Sequence, residues 1–164
     1  MNITKCFNHL VLLSLSCWIG LAGLTSCTQE VTPPSLQGDV AQPAWTAPAD
    51  YDYTSSMTAV VKVSLLEQYP SMAADWQLND SDRVAAFVGD ECLGVVTPQE
   101  GLFYLYVAGS TSSDQEQMTN VSLRYWSAHF KNLFEVKDAF PFKNDDHIGS
   151  VAEPFAPKFV VVKE

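Results

Sequence analysis

Residues 82–95 read Asp82-Arg83-Val84-Ala85-Ala86-Phe87-Val88-Gly89-Asp90-Glu91-Cys92-Leu93-Gly94-Val95, two short apolar runs that meet at a glycine. Runs of this length, bounded by glycine and acidic residues, are typical of strands. Gly89 can adopt backbone angles that other residues resist, so Gly89-Asp90-Glu91 predicts a tight turn. The segment therefore predicts an antiparallel hairpin.

Similar short runs recur along the chain between clusters of Gly, Pro, Asn and Asp. In residues 120–128, Val121, Leu123 and Tyr125 share one face of a predicted strand, and we expect one face to enter the core. A second tight turn is predicted at residues 98–101. Seven short strands favour an all-β fold, a single antiparallel, Ig-like β-sandwich. The predicted strands are residues 57–66, 83–89, 91–97, 101–109, 120–128, 133–139 and 158–163.

The N-terminus has the layout of a secretory signal peptide. Lys5 and the free amino terminus precede an almost uncharged apolar run, residues 10–24, that ends in small residues. Serines and glycines interrupt this run, and it is shorter than the ~20 apolar residues that a membrane-spanning helix needs. Residues 1–26 are therefore predicted to be a cleaved signal and are excluded from the fold.

Leu24-Thr25-Ser26-Cys27 resembles the lipobox of bacterial lipoproteins, in which an aliphatic residue and two small residues precede a cysteine. The resemblance implies diacylglyceryl transfer to the Cys27 thiol, cleavage before Cys27 and acylation of the new amino terminus. Two or more acyl chains hold a protein stably on a membrane, whereas one holds it marginally. We expect export and a lipid anchor in the cell envelope, at the outer membrane, with the periplasmic or surface face undecided. An ordinary cleaved signal with an incidental cysteine is the alternative.

Residues 27–50 are predicted to be the lipidated cysteine and a flexible tether, because prolines lie there among Ser, Thr, Gln, Gly and Ala. At roughly 3.1 Å per residue, this tether would hold the domain several nanometres from the bilayer. Residues 51–164 form the predicted β-sandwich domain, whose length is common for a single domain.

Acidic residues outnumber basic ones, and the formal net charge is −10. The predicted cleavage removes Lys5 and no acid, so the mature charge becomes −11. Such a surface repels nucleic acid and anionic headgroups, so neither is expected as a partner. Acylation of Cys27 would leave Cys92 without an intramolecular partner. Cys92 is predicted to be a small apolar core residue, with a reactive thiol as the alternative.

The hairpin of residues 82–95 also resembles one found in exported β-sandwich modules of Bacteroidetes-type lipoproteins. Its pattern is an acidic residue, a small apolar strand ending in Phe-Val-Gly, an acidic turn, then Cys, one residue and Gly. Residues 102–107 and 121–126 match the aromatic strand and the later strand of these modules, and the resemblance spans residues 57–139. It implies an accessory β-sandwich outside the cytoplasm and brings no catalytic motif or cofactor.

Residues that could support catalysis are sparse. His129 and His147 lie in no metal-ligand spacing, and the sequence has no nucleophile elbow, phosphate-binding glycine loop or dinucleotide fingerprint. Pairs of acids could supply the acid and base of a glycosidase, but without an environment that raises a pKa they are solvated turn residues. No catalytic residue and no cofactor are predicted.

Two acidic loops are weak candidates for a calcium site, because they hold several oxygen ligands. One contains Asp80 and Asp82, and the other contains Asp145 and Asp146. Neither has the spacing of an EF-hand, and turns use the same residues for backbone reasons. No metal is therefore predicted.

Aromatic residues supply the candidate binding surface. Sugar rings could stack on a platform formed by Tyr69, Trp76, Tyr104, Tyr106 and Trp126. Aromatic residues also dominate sandwich cores, and we expect Trp126 in the core. Trp76 lies in a loop-like segment near Tyr69, and these two residues are the candidate ligand contacts.

We expect a non-enzymatic envelope lipoprotein that displays a binding or adhesion-type module, with a polysaccharide or an envelope protein as its partner. One alternative is a structural subunit of an envelope assembly, which predicts a long unpaired edge strand near residues 159–162. Another is an acidic hydrolase, which predicts two acids in a cleft.

Overall fold

Strands account for most of the regular structure. The computed structural model describes residues 35–49, 53–109, 120–136 and 138–162, and both Cys27 and the predicted signal lie outside these ranges. The all-β prediction is confirmed. The elements are β1 (Ser56–Val61), α1 (Leu65–Gln68), β2 (Arg83–Val88), β3 (Glu91–Val96), β4 (Phe103–Ala108), β5 (Asn120–Ser127), β6 (Asn132–Val136), β7 (Phe140–Pro141), β8 (His147–Ile148) and β9 (Phe159–Val161).

These strands form two sheets that pack as two layers. The small sheet has the strand order β4-β1-β8, in which β1 is antiparallel to β4 and parallel to β8. The large sheet has the order β3-β2-β5-β6-β9, and each neighbouring pair along this order is antiparallel. Strand β7 pairs with β5 away from this path.

The hairpin predicted at residues 83–97 is formed by β2 and β3. Val88 pairs with Glu91, and Gly89 in the turn has a φ of 60°, an angle that favours glycine. Farther along β3, a Cβ atom on Gly94 would collide with the Tyr106 carbonyl oxygen. Glycine at position 94 therefore lets β3 of the large sheet lie beside β4 of the small sheet.

The inner faces of the two layers form the core. Tyr125 lies at its centre, with ring centroids of Phe103, Phe134 and Phe159 at 6.2, 5.7 and 5.6 Å. All four side chains are fully buried. Such aromatic contacts contribute about 0.5–1.5 kcal/mol each beyond the burial of their area.

Residues 35–49, here called the strap, lie against the domain although the sequence predicts a flexible tether. Leu36 is buried, and the amides of Gly38 and Val40 donate to the carbonyl oxygens of Phe130 and Lys131 at 2.9 and 2.8 Å. The Asn132 side chain donates to the Leu36 carbonyl oxygen at 3.1 Å. The folded part therefore includes residues before the predicted boundary at position 51.

Each of the seven predicted runs contains a strand, but their limits differ in places. The run predicted at residues 57–66 ends as a strand at Val61, because Leu65–Gln68 form a helical turn. The two-residue strands β7 and β8 were not predicted, since pairs this short have no recognisable alternation. The last strand pairs antiparallel with β6.

Candidate functional site

Strand β4 presents two tyrosines on the outer side of the small sheet. Phe103, Leu105 and Val107 alternate into the core, so Tyr104 and Tyr106 point away from it. Tyr104 is half-buried, and 46% of Tyr106 is exposed, which is unusual for a large aromatic side chain in this structure. The exposed side of β4 is therefore a candidate contact surface.

Neighbouring strands place polar and apolar groups beside these tyrosines. Thr58 on β1 pairs with Tyr106 on one side and with His147 on the other, and Val60 pairs with Tyr104. The Thr58 hydroxyl and the His147 Nδ1 atom are hydrogen-bonded at 2.6 Å. The row across the sheet thus combines an aromatic ring with groups that can donate and accept hydrogen bonds.

Tyr53 completes an aromatic pair with Tyr106. Their ring centroids are 5.9 Å apart and their planes are inclined by 49°. The two rings and the residues between Tyr53 and β1 line a surface cavity of about 640 Å³, whose other lining residues are Thr54, Ser55 and Ser56. Every described lining residue carries a hydroxyl group, and none of these residues carries a formal charge.

Hydrogen bonds hold the backbone around this cavity. The Gly109 amide donates to the Ser55 carbonyl oxygen at 2.7 Å, and Ser56 pairs with Ala108. The Asn144 side chain also accepts from the Ser56 amide at 2.9 Å. These contacts fix Ser55 and Ser56, which line the cavity beside the Tyr53 and Tyr106 rings.

We call the set Tyr53, Thr58, Tyr104 and Tyr106 the tyrosine face. Aromatic rings of this kind offer flat apolar surfaces, while hydroxyl groups offer donors and acceptors at the edges. A neutral, hydroxyl-rich ring matches both properties, because it has an apolar C–H side and a polar rim. The face can bind such a ligand without the cost of burying a charge.

The predicted ligand contacts, Tyr69 and Trp76, lie elsewhere and make structural contacts. The Tyr69 hydroxyl donates to the Phe159 carbonyl oxygen at 2.9 Å, and burial raises the pKa of this tyrosine. Trp76 packs against the core with its indole nitrogen buried. Neither residue lines the cavity beside Tyr106.

Trp126 lies under the strap, with 7% of its surface exposed. Its indole N–H donates to the Val40 carbonyl oxygen at 3.1 Å. Trp126 is therefore buried as expected, on the face of β5 opposite Tyr125, and it is not part of an exposed platform.

The acidic candidates do not converge on a metal site. Among the described residues, no group of three or more His, Cys, Asp or Glu side chains is arranged to hold a metal ion. Asp80 is exposed. Asp82 is fully buried and accepts hydrogen bonds from the Tyr125 hydroxyl and the Ala128 amide. Asp145 accepts from the Asn144 side chain at 3.1 Å, and Asp146 accepts from the His147 amide at 2.9 Å. All four aspartates therefore lie in turns or in the core of the domain.

Cys92 is half-buried beside the strap, and its thiol lies 3.6 Å from the Gly94 carbonyl oxygen. Burial raises the pKa of this thiol above its ordinary value, which keeps it protonated at neutral pH. This environment favours the structural interpretation of Cys92 over the reactive one.

Sequence reasoning considered Tyr104 and Tyr106 but missed Tyr53, which precedes the first predicted strand. Its contact with Tyr106 joins positions 53 residues apart, and no local pattern encodes it.

In the described part of the chain, no helix has the length and apolar character needed to cross a membrane. A scan against protein-family models, a search of curated proteins and a search of solved structures each found no match to this chain.

Proposed function

We propose that this chain is a bacterial envelope lipoprotein, anchored through Cys27, whose β-domain binds glycans on the tyrosine face. The domain is proposed to be an Ig-like sandwich of the kind carried by Bacteroidetes-type exported proteins. Its two-layer, mainly antiparallel architecture and the β2–β3 hairpin support this assignment. The lipobox-like sequence supports the anchor.

The single observation that carries glycan binding is the pairing of the exposed Tyr106 ring with the half-buried Tyr53 ring beside a hydroxyl-lined cavity. Burying such rings inside the domain would stabilise it, so their exposure is consistent with a role in contact. The cavity volume of about 640 Å³ lies within the range of ligand sites in proteins, roughly 300–1,000 Å³. One or two sugar residues would fit this space.

The other candidate functions have less support. An envelope-assembly subunit was expected to have a long edge near residues 159–162, whereas β9 has three residues. A hydrolase needs a pair of acids in a cleft, and no acid is among the described residues that line the cavity beside Tyr106. We therefore place a glycan before a protein as the partner.

The test is binding of the processed lipoprotein, in detergent micelles, to a panel of soluble oligosaccharides. Changing Tyr106→Ala is expected to weaken the best ligand at least ~10-fold, which corresponds to about 1.4 kcal/mol of lost stacking. Tyr106→Phe keeps the ring and should keep most of the affinity. Leu66→Ala removes a side chain of equal exposure, 46%, away from the face and should change nothing.

Calorimetric titration measures these affinities directly. Saturable binding that survives Tyr106→Ala unchanged would refute the assignment to the tyrosine face. Absence of binding across neutral and acidic oligosaccharides would refute glycan binding altogether.

A further inference from the structure

A second cavity lies at the other end of β4, where Tyr104 meets the strap. Its volume is about 350 Å³. Trp45 from the strap and Tyr104 from β4 contribute aromatic walls, while Arg83 from β2 contributes a cation. Thr97 and Gln99, both exposed, add neutral polar groups at the rim. We call this space the Arg83 cleft.

Arg83 is incompletely satisfied by the protein. One terminal nitrogen, Nη1, donates to the Pro43 carbonyl oxygen at 3.3 Å, but the Nε atom is buried and has no hydrogen-bond partner. Arg83 forms no ion pair with any described residue. A buried donor without a partner is costly, although the Arg83 side chain as a whole is only half-buried.

Arg124 provides a contrast on the same sheet. Its guanidinium contacts the carboxylates of Glu135 at 3.3 Å and Asp90 at 3.8 Å, and it stacks 4.2 Å from the centre of the Phe87 ring. Two acids and an aromatic ring therefore satisfy Arg124 within the domain. Arg83 has no such partners among the described residues, although acidic residues are abundant in this chain.

The chemistry of the Arg83 cleft favours an anion with which a guanidinium can pair. A carboxylate is such an anion, and no acid is among the described residues that line the cleft. The net charge of −10 repels ligands with many negative charges at long range. A ligand with a single carboxylate on an otherwise neutral frame fits both observations.

The Arg83 cleft adjoins the tyrosine face at Tyr104, which belongs to both. Tyr104 lines the cleft and Tyr106 lines the other cavity, and the two residues lie on the same side of β4. Positions i and i+2 of a strand are about 7 Å apart. One extended ligand can therefore contact both tyrosines and reach Arg83.

We infer that the Arg83 cleft binds the carboxylate of an acidic sugar within a glycan whose neighbouring residues stack on Tyr104 and Tyr106. This inference rests on the proposed function and specifies its ligand class. Trp45 and Tyr104 flank the acidic sugar ring, and the guanidinium of Arg83 pairs with its carboxylate. The strap, which the sequence predicts to be a tether, thus supplies one wall of the site.

The experiment compares each uronic acid-containing oligosaccharide of the panel with its carboxyl-reduced counterpart, which differs only by CH2OH in place of COO⁻. The processed lipoprotein should bind the best acidic form at least 10-fold more tightly than the reduced form. Arg83→Gln should abolish this preference and leave the affinity for the reduced form within 2-fold. Arg124→Gln is the matched control and should preserve the preference.

A second variant tests the inference independently, because Arg83→Gln also removes the hydrogen bond to Pro43 that contributes to folding. Thr97→Glu places a negative charge at the exposed rim and should weaken the acidic form about 10-fold without affecting the reduced form. Equal affinities for the two forms in the unaltered protein would overturn the inference. So would a preference that survives Arg83→Gln, or an affinity for the acidic form that Thr97→Glu leaves unchanged.

The same titrations separate this inference from the proposed function. If Tyr106→Ala weakens both forms while the Arg83 and Thr97 changes weaken neither, glycan binding stands and the carboxylate site falls. If the unaltered protein binds neither form, both proposals fall together.

Discussion

Asp82 ends the loop before β2 and is fully buried. Its Oδ2 atom accepts from the Tyr125 hydroxyl at 2.7 Å and from the Asn79 amide at 3.1 Å, and its Oδ1 atom accepts from the Ala128 amide at 2.8 Å. Desolvation raises the pKa of Asp82, although these hydrogen bonds oppose the shift. Burial also raises the pKa of Tyr125, which keeps its hydroxyl a donor.

Asp82→Asn is expected to lower the free energy of unfolding by about 1–3 kcal/mol at pH 7. An amide NH2 would face at least one of the N–H and O–H donors that now bond to the carboxylate. Urea denaturation measures the loss. Asp80→Asn is the control, because Asp80 is exposed two residues away, and it should change stability by less than about 0.5 kcal/mol.

The stability difference between the unaltered protein and Asp82→Asn should change with pH in one direction. The folded state holds the Asp82 proton more tightly than the unfolded state, because the folded pKa is raised above 3.8. The stability that Asp82 contributes therefore increases as the pH falls through the folded pKa, and it is complete below about 3.8. The stability difference between the unaltered protein and Asp82→Asn should widen between pH 7 and pH 4. A narrowing difference would show that the hydrogen bonds to Asp82 lower its pKa more than burial raises it.

The role of Asp82 could not be predicted from the sequence. The segment Asn79-Asp80-Ser81-Asp82 has the composition of a turn. From the sequence alone, both of its aspartates are weak metal candidates. What distinguishes Asp82 from Asp80 is a bond to Tyr125, 43 positions away. Local composition cannot encode a partner at that distance.

At the scale of elements, the alternation of apolar residues located the strands well, because each strand is buried on one face or on both faces. The strap was missed because its prolines and small residues are typical of a linker. The strap docks against the large sheet through contacts that include the hydrogen bond from the Trp126 indole to the Val40 carbonyl oxygen. Linker composition therefore gave the wrong expectation for a segment held by tertiary contacts.

Trp126→Ala is expected to destabilise the domain by about 3–5 kcal/mol, the usual cost of removing a buried tryptophan. The strap should also loosen, because the indole N–H no longer bonds to the Val40 carbonyl oxygen. Hydrogen exchange measures both effects. The amides of Gly38 and Val40 should exchange slowly in the unaltered protein and faster in the variant.

The amide of Asp39 provides the internal control, since it donates to no described residue and should exchange quickly in both proteins. Fast exchange at Gly38 and Val40 in the unaltered protein would show that the strap does not dock in solution. The Arg83 cleft would then lose its Trp45 wall.

At the scale of the whole molecule, the docked strap shortens the proposed tether. Only eight peptide steps separate Cys27 from Ser35, which span at most about 29 Å when fully extended. A domain anchored through Cys27 would therefore lie within about 3 nm of the bilayer, a shorter reach than an undocked tether of residues 27–50 would give. Glycans within reach are those at the membrane surface or those long enough to approach it.

Cys27→Ser tests the anchor. The variant is expected to remain folded but to lose lipid attachment, so that it leaves the membrane fraction or accumulates with its signal uncleaved. Fractionation, mass spectrometry of the N-terminus and circular dichroism measure these properties. Normal processing together with unchanged membrane association would contradict lipidation at Cys27.

The most direct measurement of the central claim is the NMR spectrum of 13C-labelled tyrosine rings during titration with the tightest-binding oligosaccharide. We expect saturable shifts of the Tyr53, Tyr104 and Tyr106 rings, with the half-buried Tyr69 ring and the buried Tyr125 ring unmoved. Binding that shifts Tyr69 while leaving Tyr104 and Tyr106 unchanged would contradict a glycan site on the tyrosine face.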